Sequence, residues 1–197
     1  MKNVLFLVMF VFFACGGQSD NSEKTNTTPA KTLSDARQSH GNMSWEPSDG
    51  WIAEPVRSNM RKAQYRLPKA ESDSEDATVV IYYFEGEGGG VRANIDRWVK
   101  QFKAPGSDVV RNVTEKELGE VNGMKQTMIQ VDGVYLYKPM PMAPKATEKP
   151  GFRMLAAVIE SDAGPWFAKF VGPTATVEKW QESFKAFLST FEKRTAS

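Results

Sequence analysis

The segment "FEGEGGGVRANIDRW" contains the first residues of this sequence that could bind a small ligand. Its glycines follow an apolar run and precede a helical pattern, and backbone N–H groups at such a helix start can hold a phosphate. The spacing fits no dinucleotide fingerprint, because Val91 stands where the last glycine belongs, and it lacks the Lys-Ser/Thr pair of a P-loop. The alternative is that the glycines only permit a tight strand-to-helix reversal. The candidate ligand-binding residues are Gly88, Gly89, Gly90 and Arg92.

The segment "YKPMPMAPKATEKP" offers a second candidate, the thioethers of Met140 and Met142. Thioethers are soft ligands that favour Cu(I), whereas methionine more often fills gaps in cores and contact surfaces. The four prolines of the segment indicate a semi-extended loop, and such loops dock onto partner proteins at a low entropic cost. Partner recognition is therefore the favoured interpretation, and copper binding is the alternative.

Residue types exclude most other chemistries. The chain has one cysteine, Cys15, and one histidine, His40, so the part after His40 cannot supply a Ser-His-Asp triad, a Cys-His pair or a common zinc site. The acidic run "ESDSED" at 71–76 lacks the spacing and glycine of an EF-hand and is interpreted as a solvated loop. With 25 basic against 24 acidic residues, the chain lacks the cationic surface that nucleic acid requires. We therefore predict a protein that is not an enzyme, with no metal site, no cofactor and no nucleic-acid partner.

The N-terminal residues predict where the chain is held. Lys2 precedes the apolar run "VLFLVMFVFF", which is too short to span a bilayer that needs about 20 residues. Ala14 and Cys15 follow, and the segment resembles a bacterial lipoprotein signal peptide that ends before a lipidated cysteine. A lone thiol in an exported chain would also be open to oxidation unless it is acylated. Residues 1–14 are thus predicted to be the signal peptide, and the alternatives are an ordinary signal peptide with an incidental thiol or an uncleaved anchor.

Lipidation of Cys15 implies a membrane anchor of acyl chains such as palmitate. The domain would then face the periplasm or the cell surface, and Gly16 favours the outer membrane because it is not an acidic retention signal. Residues 15–43 are predicted to be the lipidated cysteine and a flexible tether, since they contain few large apolar side chains. His40 lies in this tether and is predicted to be a solvated bystander.

Residues 44–197 are predicted to form one α+β domain. Apolar and β-branched runs predict strands in "MRKAQYRLP", "ATVVIYYF", "KELGEV", "MKQTMIQV", "VYLY", "FRMLAAVIE" and "WFAKFVG". Helical spacing of apolar residues predicts helices at 91–102 and 175–192. Turn signals at 122–123, 132–133 and 162–165 predict antiparallel pairing. "FRMLAAVIE" is apolar on both faces and is placed centrally, in a largely antiparallel sheet of about six strands with helices packed on it.

Three features carry a resemblance to known proteins: the opening "WEPSDGW", the strand "WFAKFVGP", and the closing helix with Phe184 and Phe187. On these features the domain resembles uncharacterised bacterial lipoproteins, and its element order is similar to the PsbP/Mog1 α/β/α sandwich. Members of that fold act as binding or assembly factors, so the resemblance implies a non-enzymatic role. We expect a lipid-anchored binding or assembly module whose partner is an envelope protein or other envelope component. The alternative is a small-ligand- or metal-binding lipoprotein.

Overall fold

The computed structural model describes residues 37–56, 58–84, 90–107, 109, 112–138 and 145–194, all within the compact unit Thr32–Ser197. The elements are, in chain order, β1 (Gln38–His40), β2 (Met43–Trp45), β3 (Ile52–Ala53), β4 (Arg61–Leu67), β5 (Ala77–Tyr83), α1 (Val91–Val99), β6 (Phe102–Lys103), β7 (Asn112–Val121), β8 (Met124–Tyr137), β9 (Thr147–Ser161), β10 (Gly164–Pro173), α2 (Thr174–Ser189) and β11 (Glu192–Lys193). The α+β class is as predicted. The candidate residues Cys15, Gly88, Gly89, Met140 and Met142 lie outside the described residues.

The main sheet is antiparallel and, in the described part of the chain, has eight strands. Its order is β3-β4-β5-β10-β9-β8-β6, and β7 pairs with β8 beside β6. Strand β9 lies between β10 and β8, and every residue from Met154 to Ile159 is buried, so the central position predicted for "FRMLAAVIE" is confirmed. The sheet has more strands than the six predicted. The reason is that β3 and β6 are only two residues long, too short to show a period of two.

The sheet separates two hydrophobic cores, because alternate residues of a strand point to opposite faces. The first core lies between the sheet and helix α2, together with the small sheet β1-β2-β11. The second core lies between the sheet and helix α1. The result is three layers, helix, sheet and helix. The five tryptophans belong to these cores: Trp45, Trp51, Trp98 and Trp166 are buried and Trp180 is partly buried.

Two turn signals of the same type have different outcomes. Asn122 and Gly123 both adopt left-handed backbone angles, with φ of 51° and 72°, and form the predicted hairpin turn between β7 and β8. The turn predicted at 132–133 is wrong, because β8 continues through Gly133 with a bulge before Tyr135. Glycine is required there for another reason. A Cβ atom at this position would collide with the backbone carbonyl oxygen of Lys103 in β6.

The folded part begins before the predicted boundary at residue 44. Strand β1 pairs with β2, and β2 pairs on its other edge with β11 near the C-terminus. Met43, the last residue of the predicted tether, is completely buried, and the N–H of Arg194 donates to the carbonyl of Asn42 (2.7 Å). The end of the predicted tether is therefore part of the domain. The signal was missed because strands of three residues are too short for a periodic pattern.

Both predicted helices are present. Helix α1 ends at Val99, before the predicted end at 102, because Phe102 pairs in β6. Helix α2 ends at Ser189, before the predicted end at Glu192, because Glu192 pairs in β11. The face of α2 that packs on the sheet buries Val177, Phe184, Phe187 and Leu188. No helix in the described ranges is long and apolar enough to cross a membrane.

Candidate functional site

Of the predicted ligand-binding residues, the described part of the chain contains Gly90 and Arg92. Gly90 precedes α1 with an ordinary extended conformation (φ −61°, ψ 166°). The guanidinium of Arg92 lies 3.0 Å from Asp96 Oδ1 and 3.4 Å from Glu115 Oε2. The glycine segment follows β5, whose Tyr83 pairs with Trp166 of β10, and Trp166 pairs in turn with Ile159 near the end of β9. The proline- and methionine-rich segment follows β8, whose Tyr137 pairs with the other end of β9.

A buried lysine lies on β10 in the middle of the sheet. Lys169 is 6% exposed, and its cross-strand neighbours are Val80 on β5 and Ala156 on β9. Its side chain lies on the α1 side of the sheet, among aromatic residues of the second core. The Nζ atom donates a hydrogen bond to Gln101 Oε1 and lies 5.5 Å from the ring centroid of Tyr135.

The surroundings of Lys169 favour its neutral amine. Burial, together with a smaller effect of the positive charge of Arg61, lowers the pKa of Lys169 to about 7. Within the described ranges, no carboxylate lies within ion-pair distance of its Nζ atom. Burial also raises the pKa of the Tyr135 hydroxyl to about 12 and raises the pKa of Tyr82, so both tyrosines are neutral at physiological pH. Lysine is rarely buried without a charged partner, and a strongly shifted pKa is typical of functional sites.

Arg61 connects this buried centre to the surface. It is the first residue of β4 and pairs with Tyr82 of β5, and a bulge separates it from Ala63. Its Nη1 atom donates to Gln64 Oε1, and Gln64 Nε2 donates to Glu54 Oε2 (2.7 Å). The bulge places Lys62 directly beside Arg61 as an extra residue of the strand.

Arg61 lines two surface cavities. One has a volume of about 390 Å³ and is lined by His40, Val56, Ser58, Asn59, Arg61 and Lys62. The other, of about 350 Å³, is lined by Glu54, Pro55, Arg61 and Gln64. We call the first cavity the Arg61 cleft. No described acidic residue lines it, whereas a carboxylate lines the second cavity.

The Arg61 cleft has the chemistry of an anion site. Arginine presents a fixed fork of donors that suits carboxylate, sulfate and phosphate, and lysine adds a compact positive charge. The hydroxyl of Ser58 and the amide of Asn59 can complete the coordination of an anion. The ring of His40, which lines the cleft, packs against Trp166 with 6.3 Å between the ring centroids. The indole N–H of Trp166 is buried without an acceptor in the described part of the chain.

Sequence reasoning did not identify these residues. Lys169 interrupts the apolar strand "WFAKFVG", and a lysine in a strand flanked by apolar residues on both faces is a signal that was available. Arg61 and Lys62 carried no such signal. They become a pair on a cavity only because the loop before β4 and strand β1 converge there.

Comparisons with known proteins give likeness in structure only. No family model matches the sequence, and no curated protein matches it. One similar solved structure is a protein of unknown function, PA94, from Pseudomonas aeruginosa, with a TM-score of 0.46 and 11% identity over 82% of this chain and 98% of that one. Another is PsbP (CyanoP) from Synechocystis sp. PCC 6803, with a TM-score of 0.49 and 14% identity over 92% of this chain and 98% of that one.

Proposed function

We propose that this protein is a lipid-anchored envelope module that binds a small anionic ligand in the Arg61 cleft without converting it. The observation that carries the binding role is the adjacent pair Arg61 and Lys62 on a cavity of about 390 Å³ whose described lining contains no carboxylate. Known ligand pockets have volumes of about 300–1,000 Å³. The ligand is therefore a small molecule that carries a carboxylate, sulfate or phosphate group.

The cleft is built for binding rather than for turnover. The hydroxyl of Ser58 accepts the N–H of Met60 (3.4 Å), which is the bond of a local turn and not that of a nucleophile activated by a base. The cations supply charge-assisted hydrogen bonds, each of about 1.5–3 kcal/mol. Two such bonds correspond to a dissociation constant between about 0.04 and 6 mM, which suits reversible binding of an abundant solute or of an envelope component.

The proposed anchor is consistent with the way the chain enters the domain. Arg37, the first described residue, forms ion pairs with Glu46 (2.8 Å) and with Glu192 (2.5 Å). These pairs join the start of the described chain to the residue after β2 and to strand β11. His40, three positions later, already lines the Arg61 cleft. The described part of the chain therefore begins beside the Arg61 cleft.

The first prediction tests the binding site. In isothermal titration of purified full-length protein with sodium sulfate, Arg61→Gln should weaken binding by about 10- to 100-fold, because one charge-assisted hydrogen bond is lost. Arg66→Gln is the matched control. It removes the same charge from the same strand, where Arg66 pairs instead with Asp76 (2.7 Å), and should leave the affinity unchanged. Equal sulfate affinity in both variants, or no binding by the wild type, would contradict the proposed function.

A further inference from the structure

Three polar side chains form a row on one face of β4. Arg61, Gln64 and Arg66 pair with every second residue of β5, from Tyr82 back to Thr78. Residues two apart on a strand point to the same face of the sheet, and directly paired residues of antiparallel strands share that face. Gln64 therefore stands between the two arginines, of which Arg61 lines the Arg61 cleft.

A carboxylate, that of Glu54, lies beside this row. The backbone N–H of Glu54 donates to the carbonyl of Gln64 (2.9 Å), and its Oε2 atom accepts from Gln64 Nε2 (2.7 Å). Glu54 and Arg61 line one cavity of about 350 Å³. The ion pair that Glu54 makes in the described part of the chain is nevertheless with Arg66, at 3.4 Å from Arg66 Nε.

The amide of Gln64 separates the opposite charges of Arg61 and Glu54. Its Oε1 atom accepts from Arg61 Nη1, and its Nε2 atom donates to Glu54 Oε2. An amide has an acceptor at one end and donors at the other, so it satisfies both groups without carrying a charge. As a result, Arg61 keeps its positive charge and most of its five N–H donors for a ligand.

We propose that Gln64 keeps the Arg61 cleft selective for anions, because it holds the Glu54 carboxylate away from the Arg61 guanidinium. This inference rests on the proposed function. A carboxylate that pairs with arginine uses the same planar fork of donors that binds an oxyanion, so a direct pair of Arg61 with Glu54 would compete with the ligand. The charge of Glu54 would also repel an anion in the cleft. Gln64 acts through Arg61 and is therefore a positioning residue.

Isothermal titration of the full-length protein with sulfate tests this role. Gln64→Ala removes the amide and lets the Glu54 side chain reach Arg61 through the cavity that they share. The affinity for sulfate should fall about fivefold, because the anion must displace a surface ion pair. Glu54→Gln alone should keep the affinity within about twofold of the wild type. Glu54→Gln added to Gln64→Ala should restore it to the same range, which a mere loss of packing at residue 64 would not produce.

Two further variants complete the test. Gln64→Glu keeps the side-chain length and an acceptor for Arg61 but brings a negative charge to the guanidinium, so it should weaken sulfate binding at least as much as Gln64→Ala. Gln130→Ala is the matched control. Gln130 is a glutamine of β8 that also donates to a carboxylate, that of Asp132 (2.8 Å), but β5, β10 and β9 separate β8 from β4. Its loss should leave the affinity for sulfate unchanged.

The outcomes separate this inference from the proposed function. Equal sulfate affinity in the wild type, Gln64→Ala and Gln64→Glu would overturn the role of Gln64 and leave the anion site intact. A weakened Gln64→Ala that Glu54→Gln does not restore would also overturn it, because the loss would then come from the fold and not from the charge of Glu54. An absence of sulfate binding by the wild type, or equal binding by Arg61→Gln, would overturn both the anion site and this inference.

Discussion

Lys169 reduces the stability of the fold whenever it carries a proton, because a buried ammonium loses its hydration without gaining a counter-charge. Its pKa is about 7 in the folded chain and about 10.4 in an unfolded one. Between these values the unfolded chain binds more protons than the folded one, so the free energy of unfolding rises as the pH rises. Above about pH 10 the trend reverses, because Tyr65 and Tyr135 keep their protons to a pKa of about 12 when folded.

The second prediction follows from this rise of the free energy of unfolding with pH. The wild-type free energy of unfolding should increase by a few kcal/mol between about pH 7 and 9.5, measured by urea denaturation at each pH. Lys169→Met removes the titrating group and keeps a side chain of similar length, so it should be more stable than the wild type at pH 7 and nearly independent of pH. Lys125→Met is the control. Lys125 is an exposed lysine of β8, and its loss should leave the slope in place; a retained slope in Lys169→Met would show that another group causes it.

The burial of Lys169 could not be predicted from the sequence alone. The apolar run "WFAKFVG" correctly predicts a strand, and the lysine within it is a signal, but the pattern alone does not say which elements cover its two faces. The faces are covered by α1 and α2, which come from distant parts of the chain. Burial of a charged residue is therefore a tertiary property, and it becomes visible only when both helices are placed.

The N-terminus of helix α2 is capped by a side chain from another part of the chain. It follows β10 directly, and Pro173 at its N-cap offers no side-chain acceptor. Instead, Asp73 Oδ2 accepts from the backbone N–H of Thr176 (2.7 Å) and from its hydroxyl (2.6 Å). The acidic run at 71–76 is thus not only a solvated loop, because one of its carboxylates caps this helix.

The described residues contain no cluster of His, Cys, Asp or Glu that could hold a metal ion.

The third prediction tests this cap. Asp73→Ala should lower the free energy of unfolding by about 1 kcal/mol, the usual value of an N-terminal cap. Asp73→Asn keeps an acceptor oxygen and should lose less. Glu71→Ala is the matched control, since it removes an exposed carboxylate from the same loop and should change stability little. Chemical denaturation at pH 7 measures all three, and equal effects of Asp73→Ala and Glu71→Ala would mean that only the charge of the loop matters.

Local signals at this scale predicted most elements but not every turn. Asn122 with Gly123 and Asp132 with Gly133 are the same kind of hairpin signal. Only the first becomes a turn. At the second, β8 continues because its far half pairs with both β6 and β9, and the glycine serves the close approach of β6. A dipeptide signal indicates what the backbone tolerates, and long-range pairing decides how that tolerance is used.

The first and last strands of the described part of the chain belong to the same small sheet. Strand β2 lies between β1 and β11, so the segment that follows the predicted tether and the segment that follows α2 complete one small sheet. Stacking of Trp45 on Phe191 (5.6 Å between centroids) fastens this sheet to the first core. Within the described residues, the start and the end of the domain are thus joined in one small sheet.

The last prediction separates anchoring from folding. Cys15→Ser should abolish incorporation of labelled palmitate and move the protein from the membrane to the soluble fraction, because the acyl chains supply the membrane affinity. Its thermal unfolding midpoint should equal that of the detergent-solubilised wild type, since the first buried core residue, Met43, lies far along the chain from Cys15. Ser19→Ala alters the same segment without touching the thiol and should remain labelled and membrane-bound. Unchanged label and fractionation in Cys15→Ser would refute the lipid anchor, whereas a lower midpoint would show that the N-terminal segment stabilises the domain.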